Sequence, residues 1–480
     1  MRVRIRVDVL RFYRRLFWAA IFLALVPAVG SAGSTDTDLG KTIDRIRRRF
    51  GLQSALGVLV KSIDSGETLY EHNATRKFIP ASGMKLVTMG ASLHYLGPNY
   101  RFETRFLTDG PLVDGVVEGN LYIYGTGDPS LTRHDMEFIV RNLANAGLKE
   151  IRGNIVLDDS FFDDQLRGPA SYGDILKKGL PIQSALSYNF NLVELRARPS
   201  SPGTRADLHD EGYGYFDVLN RVTTATRGRP WVRVSKLRSN RVVVQGRVIQ
   251  GDEEEQLGMF VAPDPTLYFA SAFLGKLKEQ GIVAPGEVVR DRIEGKKLST
   301  LYVHRSARLV EVVSAMGKYS NNFSAEQLLK TLGAYRWGAP GSFESGSRAV
   351  SEYLVGLGFR ADEFHIEDGS GLSYDNHLSP AILVKVLEDL YGAPELRTDF
   401  ICSLAVGGVD GTLRHRFLNE VHMGRIMAKT GSLAGVSSLS GFAFSESHGP
   451  LVFSIVSNGI GKQYRADFVE DEIARALVEY

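Results

Sequence analysis

The pattern of apolar and turn-forming residues changes twice along the chain, and these two changes constrain its fold more than any other feature of the sequence. Up to about residue 100 we predict a helix over Asp36–Phe50, strands over Gly57–Lys61 and Thr68–Glu71, and a further helix from about Pro80. Past about residue 304 helical periodicity returns, followed by strands and an amphipathic helix. Short alternating runs split by Gly, Asp and Pro lie between these parts. We therefore predict one α/β domain, residues 33–100 and 305–480, interrupted by a β-rich insertion of one or two subdomains, residues 101–304.

Residues 1–32 have the composition of an export signal. Six arginines precede an apolar run from Leu16 to Val26, and a proline and small residues follow up to Ala32. The apolar run is short for a bilayer, so we predict a signal peptide cleaved near Ala32 and a periplasmic protein. An uncleaved N-terminal anchor is the alternative. The rest of the sequence has no apolar stretch long enough to cross a membrane, which leaves the mature protein soluble or peripheral.

Composition excludes several kinds of function. Cys402 is the single cysteine, so no intramolecular disulfide can form, and its apolar neighbours predict a buried segment and not a thiol nucleophile. The net charge is +2 and we take the basic residues as spread along the chain after the N-terminal segment, which argues against a nucleic-acid groove. The sequence has no H-E-x-x-H and no paired cysteines, so we predict neither a metal nor another cofactor.

The stretch "FIPASGMKLVTMG" contains the single S-x-x-K of the chain, Ser82 to Lys85. A helix from about Pro80 would place both side chains on one face, one turn apart. A lysine can remove the proton of a serine hydroxyl only when burial and a nearby cation lower its pKa. The motif therefore demands a second, distant lysine; taken alone, Ser82 would be read as a helix cap.

Lys429, at the start of "KTGS", meets that demand. The pattern predicts a strand edge with a cation, the hydroxyl of Thr430, a glycine at Gly431 that permits close approach, and the N–H of Ser432. A peptide-like substrate could add to such an edge as an extra strand. The N–H groups of Ser432 and Ser82 could then form an oxyanion hole.

A third element should place a hydroxyl and an amide between the two lysines. The sequence offers Ser187-Tyr188-Asn189, in the β-rich insertion, and Ser320-Asn321-Asn322, which opens a helical run in the resumed domain. We favour the second, where a short loop could present both side chains.

In this order, the three motifs resemble those of the serine penicillin-recognising enzymes. Further stretches resemble the D-alanyl-D-alanine carboxypeptidase/endopeptidase family, the penicillin-binding protein 4 type of class C low-molecular-mass penicillin-binding proteins. They are "YGTGDPSL", "LDDSFFDD", "SALSYNFN", "DGSGLSYDN" and "GGVDGTLRHR". The resemblance covers essentially the whole mature chain. It implies a transpeptidase-like domain with an antiparallel sheet covered by helices, and a large insertion between the first and second motifs.

The resemblance also implies a role for each motif residue. Ser82 would be acylated and Lys85 would take its proton; Ser320 would relay a proton to the leaving D-alanine. Asn322 would hold the substrate amide, and Lys429 would keep Lys85 neutral and attract the substrate carboxylate. Two departures are mild: Ser432 stands where threonine is more frequent, and Asn321 where aspartate is common.

Other polar residues have weaker support. Asp158, with Asp159 beside it, is a candidate contact for the ammonium of a peptidoglycan side-chain diamine, although adjacent acids before a turn are common. We predict that "DGSGLS" is a structural loop near the site. His415 and Arg416 suggest a Ser-His-Asp triad, but a lysine base makes the histidine unnecessary.

The leading function is a serine-type D-Ala-D-Ala carboxypeptidase and endopeptidase of peptidoglycan stem peptides and cross-links, with β-lactams as inhibitors. A β-lactamase or serine esterase shares the motifs, although small hydrolases of that kind lack so large an insertion. A non-catalytic peptidoglycan-binding protein is the third alternative, against which the intact motifs argue. The sequence is compatible with a homo-oligomer and with peripheral membrane association.

Overall fold

The computed structural model describes residues 38–51, 55–168, 182–236, 240–251, 253–461 and 463–480. The strands in these parts of the chain are β1 (Leu56–Ser62), β2 (Thr68–His72), β3 (Glu103–Thr108), β4 (Leu112–Val113), β5 (Val116–Val117), β6 (Leu121–Gly125), β7 (Glu150–Ile151), β8 (Ile155–Asp158), β9 (Leu192–Arg198), β10 (Asp207–Asp210), β11 (Asp217–Ala225), β12 (Trp231–Lys236), β13 (Arg241–Ile249), β14 (Glu255–Val261), β15 (Val288–Arg290), β16 (Ser299–Arg305), β17 (Ala405–Val406), β18 (Ile426–Leu433), β19 (Val436–Ser445) and β20 (Gly449–Asn458). The α-helices are α1 (Asp38–Phe50), α2 (Met84–Leu96), α3 (Arg133–Asn145), α4 (Pro265–Glu279), α5 (Leu309–Tyr319), α6 (Asn322–Trp337), α7 (Phe343–Gly356), α8 (Pro380–Gly392), α9 (Pro394–Ser403) and α10 (Gln463–Glu479).

Both ends of the described chain build one antiparallel sheet of six strands, in the order β17-β18-β19-β20-β1-β2. The predicted hairpin of β1 and β2 is therefore joined to the predicted C-terminal strands by the pairing of β1 with β20. One face of the sheet packs on α1 and α10. The other face packs on a helical layer that includes α2, α6 and α8. The α/β fold class, with an antiparallel sheet covered by helices, is confirmed.

Helix α2 is the centre of the helical layer. Every residue from Met84 to Leu93 is buried, because α5, α6, α7 and α8 all contact this helix. A helix that is apolar around its circumference is suited to such a position. The one charged residue among these buried positions is Lys85, which is fully buried.

Residues between β3 and β16 form several smaller sheets. The largest has five strands, β15-β8-β6-β3-β16, and further sheets are β10-β9-β14, β11-β13-β12 and β4-β5-β7. Strands β3 and β16 are antiparallel neighbours, with Glu103 opposite Arg305, so the chain leaves and re-enters the sheet-and-helix layers at one place. The described structure is consistent with the division at residues 101 and 304, which stays a prediction as a set of domain bounds.

The predictions for the N-terminal segment and for Cys402 differ in outcome. The predicted signal peptide, with cleavage near Ala32, lies outside the described residues. Cys402 lies near the end of α9 and is exposed, so the prediction of a buried segment is wrong at this residue. In the part of the chain that the structure describes, no helix is both long enough and apolar enough to cross a membrane.

Candidate active site

Ser82 lies in a single 3₁₀ turn, Ala81–Gly83, that leads directly into α2. We expected the first turn of an α-helix here; the observed turn is tighter, as is frequent at helix N-termini. The hydroxyl of Ser438, in β19, donates a hydrogen bond of 2.7 Å to the carbonyl oxygen of Pro80. This bond fixes the turn against the central sheet, so Ser82 is held beside the strands that follow Lys429.

The amine of Lys85 has three oxygen partners. Its Nζ lies 2.8 Å from Oγ of Ser82, 2.7 Å from Oδ1 of Asn322 and 2.6 Å from the carbonyl oxygen of Ser370. A neutral amine has two hydrogens and one lone pair. The two carbonyl-type oxygens can only accept, so they take both hydrogens, and the lone pair is left facing the Ser82 hydroxyl. The site is therefore built to accept the proton of Ser82.

Burial favours this neutral form of Lys85. It lowers the pKa of Lys85 to about 8, although the carboxylates of Asp368 and Glu326 act in the opposite direction. The ordinary value for lysine is about 10.4. A base whose pKa lies near neutrality is suited to general base catalysis.

The loop that contains "DGSGLS" supplies the third partner of Lys85. Glu326 of α6 accepts hydrogen bonds of 3.0 Å from the N–H groups of both Gly369 and Ser370. Asp368 accepts from the N–H groups of Gly371 and Ser373, at 2.6 and 2.7 Å. The loop is thus fixed by buried carboxylates, and the predicted structural loop near the site is the element that directs the Ser370 carbonyl at Lys85.

The second motif bridges two helices. Ser320 ends α5 in a left-handed conformation, with φ of 58° and ψ of 39°, and the side chain of Asn321 caps α6 by accepting from the N–H of Ser324. Asn322 is the first residue of α6 and reaches Lys85. The hydroxyl of Ser320 accepts a hydrogen bond of 2.9 Å from Nζ of Lys429. This segment therefore lies between the two lysines.

Lys429 is as buried as Lys85. Its Nζ also donates to the carbonyl oxygen of Thr430, at 2.7 Å. Burial, and secondarily the positive charge of Lys85, lower the pKa of Lys429 well below its usual value. Because two nearby ammonium groups repel each other, the pair releases a proton more readily than an isolated lysine would.

Strand β18 offers a free edge next to Ser82. Its partner β17 pairs only with Met427 and Ala428, so from Lys429 onward the outer edge of β18 has no strand partner among the described residues. A Cβ added to Gly431 would lie 2.9 Å from the backbone nitrogen of Ser82 and 2.2 Å from Oγ of Ser438. The strand and the serine turn therefore approach each other as closely as glycine permits, which brings the peptide units of Ser82 and Ser432 into one region.

Thr430, in the third motif, has a hydrogen-bond partner that lies outside the three motifs. Oγ1 of Thr430 donates a hydrogen bond of 2.8 Å to Oγ1 of Thr412. Thr412 belongs to the short 3₁₀ turn Gly411–Leu413 of the "GGVDGTLRHR" stretch. A second hydroxyl group thus lies at the open edge of β18, close to Lys429.

Comparison with known proteins identifies the family. Residues 39–479 match the D-Ala-D-Ala carboxypeptidase 3 (S13) family. The chain belongs to this family. It is accordingly a serine-type hydrolase, and the resemblance seen in the motifs is confirmed.

Individual S13 relatives cover nearly all of the chain. A D-alanyl-D-alanine carboxypeptidase of Actinomadura sp. (strain R39) is 31% identical over 480 residues, which span 95% of this chain and 88% of that protein. The D-alanyl-D-alanine carboxypeptidase DacB of Haemophilus influenzae is 28% identical over 437 residues, 89% of each chain. The crystal structure of penicillin binding protein 4 (dacB) from the same organism, complexed with a β-lactam, has a TM-score of 0.71 at 26% identity. The match covers 92% of this chain and 100% of the chain in that crystal structure.

In this S13 protein, the alternative S-x-N triplet forms no hydrogen bond with Lys85 or Lys429 within the described residues. Ser187, of the second S-x-N triplet, is buried and donates to the carbonyl oxygen of Ser184 at 2.7 Å. Gln327 of α6 donates to the same carbonyl oxygen at 2.9 Å. Ser187 therefore contributes to the contact between the insertion and α6, which accounts for this residue without a catalytic role.

Asp158 is also occupied by backbone contacts. Its side-chain oxygens accept from the N–H groups of Ser160, at 2.9 Å, and Ile293, at 2.7 Å, and the residue is only 2% exposed. No exposed oxygen remains to meet an ammonium group. Asp158 stabilises a turn after β8, and the ligand contact suggested for it has no support in this geometry.

The histidine alternative is likewise accounted for by local contacts. Nε2 of His415 lies 2.9 Å from Nε of Arg414. Arg416 forms ion pairs with Glu470 and Asp471 of α10, at 3.1 and 2.6 Å. These contacts attach the Thr412 segment to the C-terminal helix and supply no base for Ser82.

Proposed function

We propose that this S13 protein is a D-Ala-D-Ala carboxypeptidase and endopeptidase that acts on peptidoglycan stem peptides and cross-links through an acyl-enzyme on Ser82. One observation carries the proposal: Nζ of Lys85 contacts Ser82, Asn322 and Ser370, so that the neutral amine gives its two hydrogens to the last two and its lone pair to Ser82. That arrangement serves a nucleophile and a base, and a purely structural serine would not need it.

In the first step, Lys85 takes the proton of Ser82 as Oγ bonds to the carbonyl carbon of the D-Ala-D-Ala peptide bond. The N–H groups of Ser82 and Ser432 hold the resulting oxyanion. The C–N bond then breaks. The leaving amine receives a proton from the Ser320 hydroxyl, which the newly protonated Lys85 replenishes, so that Lys85 returns to its neutral form and an ester of Ser82 remains.

In the second step, a water molecule replaces the leaving amine. Lys85, neutral again, takes a proton from the water as its oxygen attacks the ester carbonyl. The bond to Oγ of Ser82 breaks and Ser82 recovers a proton, which releases the shortened peptide as a carboxylic acid. β-Lactams would form the same ester, but their leaving amine stays attached and water has poor access, so the adduct is long-lived.

Substrate binding follows from the free edge of β18. An extended stem peptide adds there as a strand, with the amide side chain of Asn322 on its backbone. Lys429, with the hydroxyl groups of Thr430 and Thr412, receives the terminal carboxylate. That carboxylate raises the pKa of Lys429 and keeps it cationic while Lys85 stays neutral. Because the edge is open, a longer leaving group from a cross-link also fits, which is the endopeptidase reaction.

Location follows from the sequence. We infer that residues 1–32 direct export and are removed, so the enzyme meets peptidoglycan in the periplasm.

No cofactor takes part in any step, since the base, the relay and the oxyanion donors all come from the chain.

The test is labelling with a fluorescent penicillin, followed by intact mass, for the wild type and the Ser82→Ala variant. We expect one adduct on the wild type and none on the variant. Ser187→Ala, in the alternative S-x-N triplet, is the matched control and should label normally. Absence of both an adduct and hydrolysed drug with the wild type would contradict the proposal. Rapid drug hydrolysis without an adduct would instead favour a β-lactamase.

A further inference from the structure

A dense basic segment lies in the insertion, far in sequence from the three motifs. Between Val218 and Gly251 the sequence has eight basic residues and no acidic one, although the whole chain carries a net charge of only +2. The expectation of evenly spread basic residues is therefore wrong for this segment, because the near-neutral total conceals it. The basic residues are Arg221, Arg227, Arg229, Arg233, Lys236, Arg238, Arg241 and Arg247.

Strand pairing collects several of these residues on one face of a sheet. In the sheet β11-β13-β12, one row across the three strands is Thr223, Arg247 and Trp231. The next row is Arg221, Gln245 and Arg233, and the third is Leu219, Val243 and Ser235. Neighbouring strands lie about 4.8 Å apart and alternate residues share a face. Three arginines and a tryptophan thus occupy two adjacent rows.

This face is exposed and its opposite face is buried. Arg221, Arg233 and Arg247 are exposed, and Trp231 and Leu219 are 50% and 39% exposed. On the inner face, Val222, Val242, Val244 and Val248 are buried in the core of the insertion. The inner face of the sheet is therefore packed in the core of the insertion. Its outer face, which we call the arginine face, is exposed to solvent.

The three arginines of this face form no ion pair within the described structure. The next row of the face holds one carboxylate, Asp217, which pairs with Arg241, the first residue of β13, at 2.6 Å. Among the described residues, no carboxylate forms an ion pair with Arg221, Arg233 or Arg247. Arg227 and Arg229, in the turn beside Trp231, are also exposed and likewise unpaired within the described residues. The positive charge is therefore available to an anionic partner.

We propose that the arginine face docks on the surface of a membrane that contains anionic phospholipids. Arginine binds phosphate oxygens through two N–H groups at once. Tryptophan is favoured at the boundary between head groups and acyl chains, and an apolar side chain such as Leu219 adds contact there. Three adjacent strands also present a broad face, which matches a plane better than a single polymer chain. A polyanion alone would give Trp231 and Leu219 no apolar environment.

The test uses the exported protein that begins after Ala32, since this chain keeps every residue that the structure describes. Co-sedimentation compares vesicles of phosphatidylcholine alone with vesicles that also contain phosphatidylglycerol, at low and high salt. We expect binding to the anionic vesicles at low salt and its loss at high salt. The variant R221Q/R233Q/R247Q should bind about a hundredfold more weakly, since each basic residue near the surface contributes about a factor of five.

A matched control removes three exposed basic residues elsewhere on the insertion. The variant K278Q/R292Q/K297Q has the same net charge as the test variant and should retain most of the binding. Circular dichroism and thermal unfolding of both variants should match the wild type, because none of the six side chains is buried. Equal binding by wild type and test variant, or equal binding to neutral and anionic vesicles, would overturn the proposal.

Trp231 supplies an independent readout. In the exported chain, Trp337→Phe leaves Trp231 as the single tryptophan. Its fluorescence should shift to shorter wavelength when anionic vesicles are added, because the indole enters a less polar layer. Soluble polyphosphate is the competing probe. If it binds with the same sensitivity to R221Q/R233Q/R247Q while vesicles leave the fluorescence unchanged, the partner is an anionic polymer and the membrane proposal is overturned.

Discussion

At the scale of single residues, the site depends on a lysine that is kept uncharged by its surroundings. Lys85 has two obligate acceptors and one hydroxyl partner, so in its neutral form both hydrogens go to the acceptors and the lone pair faces Ser82. Burial lowers the pKa of Lys85. Desolvation thus favours the neutral amine, and the geometry directs its lone pair at Ser82, which converts an ordinary serine into a nucleophile.

We predict that acylation of Ser82 by penicillin accelerates as the pH rises through the pKa of Lys85, about 8, and then levels off. Below that value the protonated fraction dominates, and the rate should fall about tenfold for each pH unit. The measurement is the second-order labelling rate between neutral and alkaline pH.

The variant Lys85→Arg is the control for this pH dependence. Arginine stays protonated throughout the range, so its labelling should be slow and show no rise near pH 8. A wild-type rate that is flat across the range would contradict the assignment of Lys85 as the base.

The residues of the site could be predicted from the sequence to different degrees. Ser82, Lys85, Ser320, Asn322 and Lys429 carry their chemistry in their side chains and lie in short motifs, so spacing and order were sufficient to nominate them. The Ser370 carbonyl could not be found in this way, because a backbone oxygen has no residue identity. Glu326 lies four residues after Asn322 in "NFSAEQ", and this spacing places both residues on one face of a helix. The sequence does not indicate which loop Glu326 would contact.

At the scale of elements, the site depends on how closely a strand can approach a turn. The Cβ position at Gly431 is already occupied by neighbouring atoms of Ser438 and Ser82. The pattern "KTGS" predicted a strand edge with a glycine that permits close approach, and these residues do lie in β18. The 3₁₀ turn at Ser82 was not predicted, because its tightness arises from packing against β18 and β19, which lie far away in the sequence.

We predict that Gly431→Ala reduces penicillin labelling by more than about a hundredfold, since a displacement of about 1 Å at a reacting group has an effect of that size. The added methyl group would force β18 and the Ser82 turn apart. Labelling rate and intact mass measure the effect. Gly356→Ala is the matched control: its Cβ would meet no atom within 4 Å, and it lies at the end of α7. Wild-type labelling by Gly431→Ala would show that the close approach is dispensable.

At the scale of the whole molecule, the insertion is fastened to the helix that carries Asn322. Lys330 of α6 is fully buried and pairs with Asp163 at 2.6 Å, while its Nζ also donates to the carbonyl oxygen of Gln165 at 2.9 Å. Its ammonium lies 5.2 Å from the ring centres of both Phe162 and Phe343. The change in residue pattern predicted the insertion. It could not indicate this contact, because a lysine in a helical run is usually solvated.

We predict that Asp163→Asn destabilises the protein more than Lys330→Met does. The first variant leaves a buried ammonium without its countercharge, at a cost of about 2–4 kcal/mol. The second removes the charge and keeps an apolar chain between two rings, at a cost of about 1–2 kcal/mol. Urea unfolding near pH 7 measures both, and the reverse order would contradict the role of the ion pair.

The pH dependence of the two variants should also differ. Burial lowers the pKa of Lys330, whereas Asp163 raises it. Without Asp163 the folded-state pKa falls further below that of the unfolded chain. The unfolded state then binds more protons over a wider range, so the stability of Asp163→Asn should recover as the pH rises towards about 10.4. Lys330→Met has no titrating group at this position and should show no such recovery.

The pairing of the first and last strands also sets the order in which the enzyme becomes active. Ile79 and Asn458, 379 residues apart, exchange two hydrogen bonds, and β1 lies against β20. Ser82 is synthesised early, but the strand with Lys429 and its neighbours emerge from the ribosome last. Contacts this distant in sequence form late in folding. A chain that ends before β18 therefore carries Ser82 without Lys429 and without the strands that hold its turn, so the site is complete only when nearly the whole chain is present.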